Sequence, residues 1–379
     1  RRLAAGSATL LVPPSLGMVD STVYYSVYNG HDPEHLVTVH DELRRGGRSA
    51  IFLAGDSSLD NKFWFSDTAA ACNGYERVLR PPVQKQDVCY WLNREAARRG
   101  RSDLFCLNSA IEATSLNDRA CSLLAQDRFI REHITPDDTL VVSVGGNDLA
   151  LEPLLATVLN IIPLLCLTPT ACVRHGQACP PNTHVDCGCL GCGVPGCAVS
   201  LFGFPFGLAY FVDLFKNRVE NYVRRLVGRR RPRKVVVCMI YYLDVHGRGS
   251  WADCFLQGMC YDCAPGRLQA AIKRVFELAT SQISIEGTEV VAFPLFEVLD
   301  GSETADYVQR VEPSPQGGAK MARALMDAVV GTTASPAGSP WEEMGEVTPS
   351  PPPSPLTPLS STASSPLLSA PSSCAVSRG

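Results

Sequence analysis

The sequence lacks an uninterrupted apolar run of the length that a confident membrane span requires. It also lacks a strong charge of either sign, because the net charge is −4 and the pI is near 6.0. We therefore expect no general attraction to nucleic acid, and the cationic run 229–234 is interpreted as a solvated loop before a strand rather than as a binding patch. The chain has no initiator methionine, which is typical of a processed form or a fragment, so the compartment stays open.

Composition divides the 379 residues into three parts. Residues 1–30 have no clear periodicity and are predicted to lead in as coil. Residues 31–331 alternate between helix-like and strand-like patterns, and the hydrophobic content of 45% is enough to fill a sizeable core. Residues 332–379 are rich in Pro, Ser and Thr and are predicted to be a disordered tail, with Ser-Pro and Thr-Pro pairs that suit proline-directed phosphorylation.

The most informative stretch is 49–61, a short apolar run that stops at Gly55 and is followed by Asp56 and Ser57. A run of this length that ends in glycine predicts a strand buried on both faces. The residues after it would lie at the carboxyl edge of a sheet, where open α/β folds bind ligands. Ser57 is therefore a candidate nucleophile, and its alternative role is to cap a helix.

A second buried-strand pattern, 139–148, also ends in glycines and brings Asn147 to the same edge of the sheet. An amide donor beside a nucleophilic serine is what acyl transfer needs to stabilise a tetrahedral oxyanion.

Together the two blocks, Gly55-Asp56-Ser57 and Gly145-Gly146-Asn147-Asp148, resemble those of the GDSL or SGNH hydrolase family. They correspond to the first and third of its four usual blocks, and the pattern of strands and helices extends the likeness over roughly residues 34 to 331. The resemblance implies a flavodoxin-like three-layer α/β/α fold with a mainly parallel sheet of about five strands. It also implies hydrolysis of an ester or thioester, with Ser57 as nucleophile and Asn147 as an oxyanion donor.

The family's second block normally supplies a glycine whose backbone N–H joins the oxyanion hole. By position its counterpart in this chain is Ala113, within 109–115. An alanine N–H donates equally well if the backbone angles allow it. Ser115 and Asp118 then form the pattern of a capping box, which predicts a helix from there to about Ile134.

The family's last block is Asp-x-x-His, often followed by proline and a helix with an early glycine. The segment 312–317 fits that frame, but Glu312 occupies the histidine position and Gln309 occupies the aspartate position. Asp306 is close but out of register, and no histidine follows His246.

Three interpretations of the missing histidine remain open. Glu312 is the base, although a carboxylate with a reference pKa of about 4.3 is weaker than an imidazole at about 6.5 unless burial raises it. Alternatively His246, which follows the fourth predicted strand, is the base with Asp244 nearby. In the third interpretation the site is a relic that only binds.

Residues 149–212 form an insertion with a composition of its own. Its two apolar flanks, 149–167 and 198–212, surround the cysteine-rich stretch 166–197. The flanks either pack on each other or form a lid over Ser57 that receives acyl chains and contacts a membrane surface.

The sixteen cysteines are unevenly distributed. Four of them lie in predicted helices or strands, where a free cysteine behaves as a small buried apolar residue: Cys89, Cys106, Cys121 and Cys238. The clusters in 166–197 and 254–263 predict disulfides, which favour a secretory or other oxidising compartment, with zinc ligation as the alternative in a reducing one.

The sequence thus predicts a serine hydrolase that cleaves an acyl ester or thioester, possibly of lipids, and needs neither metal nor cofactor. Ser57 would attack the carbonyl, and the oxyanion would be held by the N–H groups of Ser57 and Ala113 and by the amide of Asn147. Glu312 would take the proton. The alternative is a non-catalytic lipid- or glycan-binding protein on the same fold. Acyl length and oligomeric state are not predicted.

Overall fold

The computed structural model describes residues 17–150, 155–182 and 198–331. A five-stranded sheet crosses this part of the chain, and every neighbouring pair of its strands is parallel. Its strands are β1 (Ser49–Gly55), β2 (Leu104–Asn108), β3 (Thr139–Ser143), β4 (Lys234–Met239) and β5 (Glu289–Pro294). Their spatial order is β5-β4-β3-β1-β2, so the direction of winding reverses beside β1. All five strands were predicted from the sequence.

The helices that flank this sheet are numbered in chain order. They are α1 (Pro33–Leu43), α2 (Val88–Arg98), α3 (Ala125–His133), α4 (Leu155–Ile162), α5 (Leu208–Val212), α6 (Val219–Val227), α7 (Asp253–Gly258), α8 (Pro265–Leu278) and α9 (Pro315–Val330). A π-helical turn, Asp213–Arg218, joins α5 to α6. Shorter helices lie at Ser21–Tyr24, Tyr75–Val78, Asn147–Ala150 and Thr170–Arg174, and two-stranded pairs of two or three residues lie outside the main sheet.

Alternation along the strands creates two apolar layers, one on each face of the sheet. In β1, Ile51 and Leu53 pack into the layer that contains α2 and α9, whereas Phe52 packs into the layer that contains α1, α3, α6 and α8. Because each strand is apolar on both sides, the sheet is buried between helices, as parallel sheets require. This is the three-layer α/β/α architecture that the sequence predicts.

Two local predictions differ from the structure. Part of the predicted coil is ordered, because Val19–Asp20 pairs in parallel with Leu79–Arg80 and the buried Tyr24 joins the core. The predicted helix from Ser115 to Ile134 is interrupted, although the side chain of Asp118 does accept the backbone N–H of Ser115 at 2.7 Å. That cap begins only a short 3₁₀ turn, and α3 starts separately at Ala125.

A buried arginine, Arg119, explains the interruption. Its guanidinium donates to the carbonyl oxygens of Gly55 at 2.8 Å and Ser115 at 2.9 Å, and its Nε lies 3.2 Å from Asp127 in α3. The side chain is 1% exposed. A charge this deeply buried needs an opposite charge and acceptor oxygens close to it, so the chain folds around the guanidinium instead of continuing as a regular helix.

The cysteine predictions are only partly correct. Cys89, Cys106 and Cys238 are buried free thiols, as predicted. Cys121 is not a buried thiol. It lies in the loop before α3, where it is exposed, and it is disulfide-bonded. The predicted disulfides of the clusters 166–197 and 254–263 are wrong for the six cluster cysteines that the structure describes. These six are free thiols: Cys166, Cys172, Cys179, Cys254, Cys260 and Cys263.

Several predictions fall outside the described residues. They concern the start of the chain at 1–16, the cysteine-rich centre of the insertion at 183–197 and the tail at 332–379. Among the helices that are described, none combines the length and the apolar content that crossing a bilayer would need.

Candidate active site

Ser57 lies directly beyond β1, where two strands approach each other closely. Gly55 has φ +136°, and a Cβ atom at that position would lie 1.7 Å from the carbonyl oxygen of Ser143 in β3. Only glycine fits this approach. The chain then forms one helical turn, in which the N–H of Asp60 donates to the carbonyl oxygen of Asp56 at 3.0 Å. Ser57 is therefore held at the carboxyl edge of the sheet, with 5% of its surface exposed.

The Ser57 hydroxyl donates a hydrogen bond to Glu312 Oε1 at 3.1 Å. Glu312 belongs to the two-residue strand before α9 and is itself buried. The helix α9 begins at a side-chain N-cap, because Ser314 Oγ accepts the N–H of Gly317 at 3.1 Å with Pro315 in the first turn. The fold thus brings together a serine and a carboxylate that are 255 positions apart.

Burial raises the pKa of Glu312 from 4.5 to about 8, and the negative charges of Asp56 and Asp60 add to the effect, while the hydrogen bond from Ser57 opposes it. Because a base becomes stronger as the pKa of its conjugate acid rises, this carboxylate is a stronger proton acceptor than an ordinary imidazole, whose pKa is about 6.5.

A second carboxyl group near the site, Glu112, was not identified from the sequence. It is 2% exposed, and its backbone N–H donates to Asp60 Oδ2 at 3.0 Å. Burial raises its pKa to about 9, and the neighbouring charge of Glu312 contributes. One oxygen of each of these two glutamates is buried without a hydrogen-bond partner in the described ranges. The signal available in the sequence was an acidic residue directly before Ala113, the predicted counterpart of the family's oxyanion glycine.

The two predicted oxyanion donors lie on the loops after β2 and β3. Asn147 lines the same pocket as Ser57, and its Nδ2 donates to the carbonyl oxygen of Thr114 at 3.0 Å, which leaves the second amide hydrogen for another acceptor. Ala113 has φ +56°, the left-handed conformation that favours the glycine found in the family at this position. Within the described ranges no protein acceptor takes the backbone N–H of Ser57 or of Ala113.

His246 is not brought to Ser57. The residue is exposed, and its backbone N–H donates to Asp244 Oδ1 at 2.8 Å. Thr304 Oγ1 donates to the same oxygen at 3.1 Å, so Asp244 is occupied in holding this loop. Of the two bases considered from the sequence, Glu312 is the one in hydrogen-bond contact with the serine.

An apolar pocket with a cavity volume of about 90 Å³ opens from Ser57, Asn147 and Glu312. The insertion contributes two of its walls, through Leu149 and Ile161. The other apolar residues that line the pocket come from the part of the chain between β4 and α9: Ile240, Tyr241, Leu243, Trp251, Phe255, Met259, Leu268, Ile272 and Val311. A second apolar cavity shares several of these side chains and continues toward α5 and its π-helical turn.

From the sequence, a lid formed by the insertion was predicted as one of two alternatives, and the contribution of residues 251–272 to the pocket was missed. Trp251, Phe255 and Met259 recur every four residues, which is the spacing of one helix face and was the available signal. In the described part of the chain, no three His, Cys, Asp or Glu side chains converge in a way that would hold a metal ion.

No protein-family model matches the chain, and no curated protein matches it. Solved structures with a similar arrangement include an extracellular lipase from Streptomyces rimosus, with 12% identity, a TM-score of 0.37 and coverage of 74% of this chain and 99% of the other. An acetyl xylan esterase from Geobacillus stearothermophilus has 15% identity, a TM-score of 0.36 and coverage of 74% and 94%. Phospholipase A1 from Streptomyces albidoflavus has 10% identity, a TM-score of 0.35 and coverage of 74% and 99%. At these scores the likeness assigns no activity to this chain.

The raised pKa of Glu112 predicts a measurable dependence of stability on pH. Since its folded pKa of about 9 lies above the unfolded value of 4.5, the carboxyl contributes stability below pH 4.5 that is lost as pH rises through 9. The melting temperature of Glu112→Gln minus that of wild type should therefore increase from acidic to alkaline pH. Glu34→Gln controls for the loss of one exposed carboxyl. A difference between Glu112→Gln and wild type that does not change with pH would contradict the buried carboxyl pair.

Proposed function

We propose that this protein is a serine hydrolase that cleaves acyl esters or thioesters. The observation that carries the proposal is the 3.1 Å hydrogen bond from the Ser57 hydroxyl to a buried carboxylate whose basicity is raised. A nucleophilic serine needs an adjacent base within this distance. In most enzymes of this kind the base is an imidazole, and burial gives Glu312 a comparable proton affinity.

The reaction follows from this pair. Ser57 Oγ forms a bond to the carbonyl carbon while its proton passes to Glu312. The tetrahedral intermediate then expels the alcohol or thiol, which takes that proton and leaves an acyl group on Ser57. Water attacks the acyl group with Glu312 again as base, and the acid is released as Ser57 recovers its proton.

Three donors would stabilise the oxyanion: the backbone N–H groups of Ser57 and Ala113 and the free amide hydrogen of Asn147. Support comes from the left-handed backbone of Ala113 and from the lack of protein acceptors for the two N–H groups in the described ranges. These donors are important because Glu312 is neutral once it has taken the proton, while the nearby carboxylate of Asp56 would repel the negative charge that forms on the substrate oxygen.

The substrate class that fits the pocket is an ester with an apolar acyl chain. The polar side chains of the lining are grouped at Asp56–Ser58, Asn147 and Glu312, the other side chains are aliphatic, aromatic or methionine, and a second apolar cavity continues from them. Burial of an acyl chain there would stabilise the complex by about 0.8 kcal/mol for each methylene group. Lipids are the natural source of such chains, and we propose that the insertion contacts a lipid surface from which they are drawn.

A labelled fluorophosphonate tests the nucleophile, because only an activated serine reacts with it. Wild type should be labelled on the peptide that contains Ser57, and Ser57→Ala should lose both labelling and ester turnover while its melting temperature stays near wild type. Ser66→Ala, at an exposed serine, is the matched control and should be labelled normally. Unchanged turnover by purified Ser57→Ala would refute the assignment.

The pH profile tests the base. Because Glu312 must be ionised to accept a proton, kcat/KM should rise with pH through a midpoint of about 8, and roughly a tenth of the enzyme would be active at pH 7. Glu312→Gln keeps the shape of the side chain but cannot take the proton, so kcat should fall by about 10²–10⁴. If Glu312→Gln is fully active and His246→Ala is inactive, the base is His246.

A series of p-nitrophenyl esters from acetate to palmitate tests the acyl pocket. The kcat/KM should rise by about fourfold for each methylene until the chain outgrows the pocket. Ile272→Trp narrows the pocket and should lower the rate for octanoate far more than for acetate, whereas Ile272→Ala should leave the acetate rate near wild type. Wild-type preference for acetate would contradict this substrate class.

The second candidate is a lipid-binding protein without turnover. It is favoured by the pKa of Glu312 at about 8, since a mostly protonated carboxyl at neutral pH can donate a hydrogen bond instead of accepting a proton. Saturable fatty-acid binding, combined with a serine that no fluorophosphonate labels at any pH, would favour this candidate over the enzyme.

A further inference from the structure

Large apolar side chains are exposed together on the described part of the insertion. Six of them lie in α4 or in the segment 201–206: Leu159, Ile162, Leu201, Phe202, Phe204 and Phe206, with Leu201 at 80% and Phe204 at 70% exposed; a seventh, Leu167 at 77%, lies in the π-helical turn after α4. We call these six side chains the apolar face. Single exposed apolar residues are ordinary, but a group confined to two short segments marks an interaction site.

The two segments that carry the apolar face are in contact. Ser200 Oγ donates to the side chain of Asn160, which lies between the exposed Leu159 and Ile162 in sequence. A Cβ atom on Gly207 would lie 2.2 Å from the carbonyl oxygen of Asn160, so residues 200–207 run against α4 at both ends. The two segments that carry the exposed side chains are therefore neighbours in the fold.

A basic cavity adjoins the apolar face. Phe204 pairs with Gln177 in a short antiparallel strand pair, and Arg274 Nε donates to the carbonyl oxygen of Gly176, which precedes Gln177, at 2.8 Å. The cavity beside this strand pair is lined by Arg174, Tyr242, Gly266, Gln269, Ala270, Lys273, Arg274 and Glu277.

Two of the cations in this cavity carry uncompensated charge. Arg274 pairs with Glu277 at 2.5 Å, but Arg174 and Lys273 have no acidic partner among the described residues. Both are exposed. The cavity therefore presents net positive charge beside the strand pair that carries the exposed Phe204.

We propose that this surface docks on an anionic lipid layer, with the apolar face among the acyl chains and lipid phosphate groups in the basic cavity. Apolar side chains flanked by lysine and arginine are the pattern that peripheral proteins use at the boundary between headgroups and acyl chains. A protein partner would not need the cations of the basic cavity, whereas lipid phosphates lie next to the acyl chains that the apolar face enters.

Docking would also place a lipid near the proposed active site. Ile161 lines the pocket that opens at Ser57, and its neighbour Ile162 belongs to the apolar face, so one turn of α4 connects the two. The lipid contact deepens the proposed function, and transfer of a lipid to Ser57 rests on the proposed catalysis, whereas binding to the lipid surface requires no turnover.

Vesicle flotation with the full chain tests the proposal. The protein should float with vesicles of phosphatidylcholine and phosphatidylglycerol, bind phosphatidylcholine alone more weakly, and lose affinity as salt rises. The double variant Leu201→Ser/Phe204→Ser should weaken binding by about tenfold or more. Lys273→Glu should weaken binding to the anionic vesicles by about fivefold or more and leave binding to neutral vesicles unchanged.

The matched control is Val23→Ser/Val37→Ser, which removes two exposed apolar side chains elsewhere and should bind like wild type. Ser57→Ala should float normally, so failure of catalysis and failure of docking are separable. Equal binding to neutral and anionic vesicles, or equal loss in both double variants, would overturn the proposal. So would a concentration-dependent dimer that Leu201→Ser/Phe204→Ser abolishes, because the apolar face would then join two copies of the chain.

Discussion

The site depends on one buried cation. The guanidinium of Arg119 contacts the carbonyl oxygen of Gly55 at the end of β1, the loop after β2 and the carboxylate of Asp127 in α3. These are the segments that carry the proposed nucleophile, one oxyanion donor and a flanking helix. A buried charge stabilises only the arrangement in which all its partners are in place, so the relative positions of the two loops are fixed by the same contact that explains the break before α3.

A carboxylate in place of imidazole changes how the surroundings must be built. An imidazole base benefits from a neighbouring carboxylate that stabilises its cation, whereas a glutamate base needs an environment that disfavours its anion. Burial provides most of that environment for Glu312, and the charges of Asp56 and Asp60 add to it, although Lys62 is paired with Asp60 at 2.7 Å. The cost is that two glutamates with raised pKa values, Glu312 and Glu112, are buried close together, and their ionisation as pH rises opposes folding.

The sequence predicted the parts of the fold that local patterns determine. Buried-strand runs ending in glycine located the sheet, and two short motifs identified Ser57 and Asn147. The choice between Glu312 and His246 could not be made from the chain, because it depends on which of two distant loops reaches the serine. Glu112 and Arg119 were missed because distant segments of the fold decide whether a charged side chain is buried, although the position of Glu112 directly before Ala113 was an available signal.

The left-handed backbone at Ala113 restricts how this position can vary during evolution. A side chain branched at Cβ would clash with its own carbonyl there, so Val, Ile and Thr are excluded, and glycine, asparagine and aspartate are the accessible neighbours. Alanine itself tolerates the conformation at a cost on the order of 1 kcal/mol. Change at this position among relatives should thus be confined to small or short polar residues, whatever substrates those relatives use.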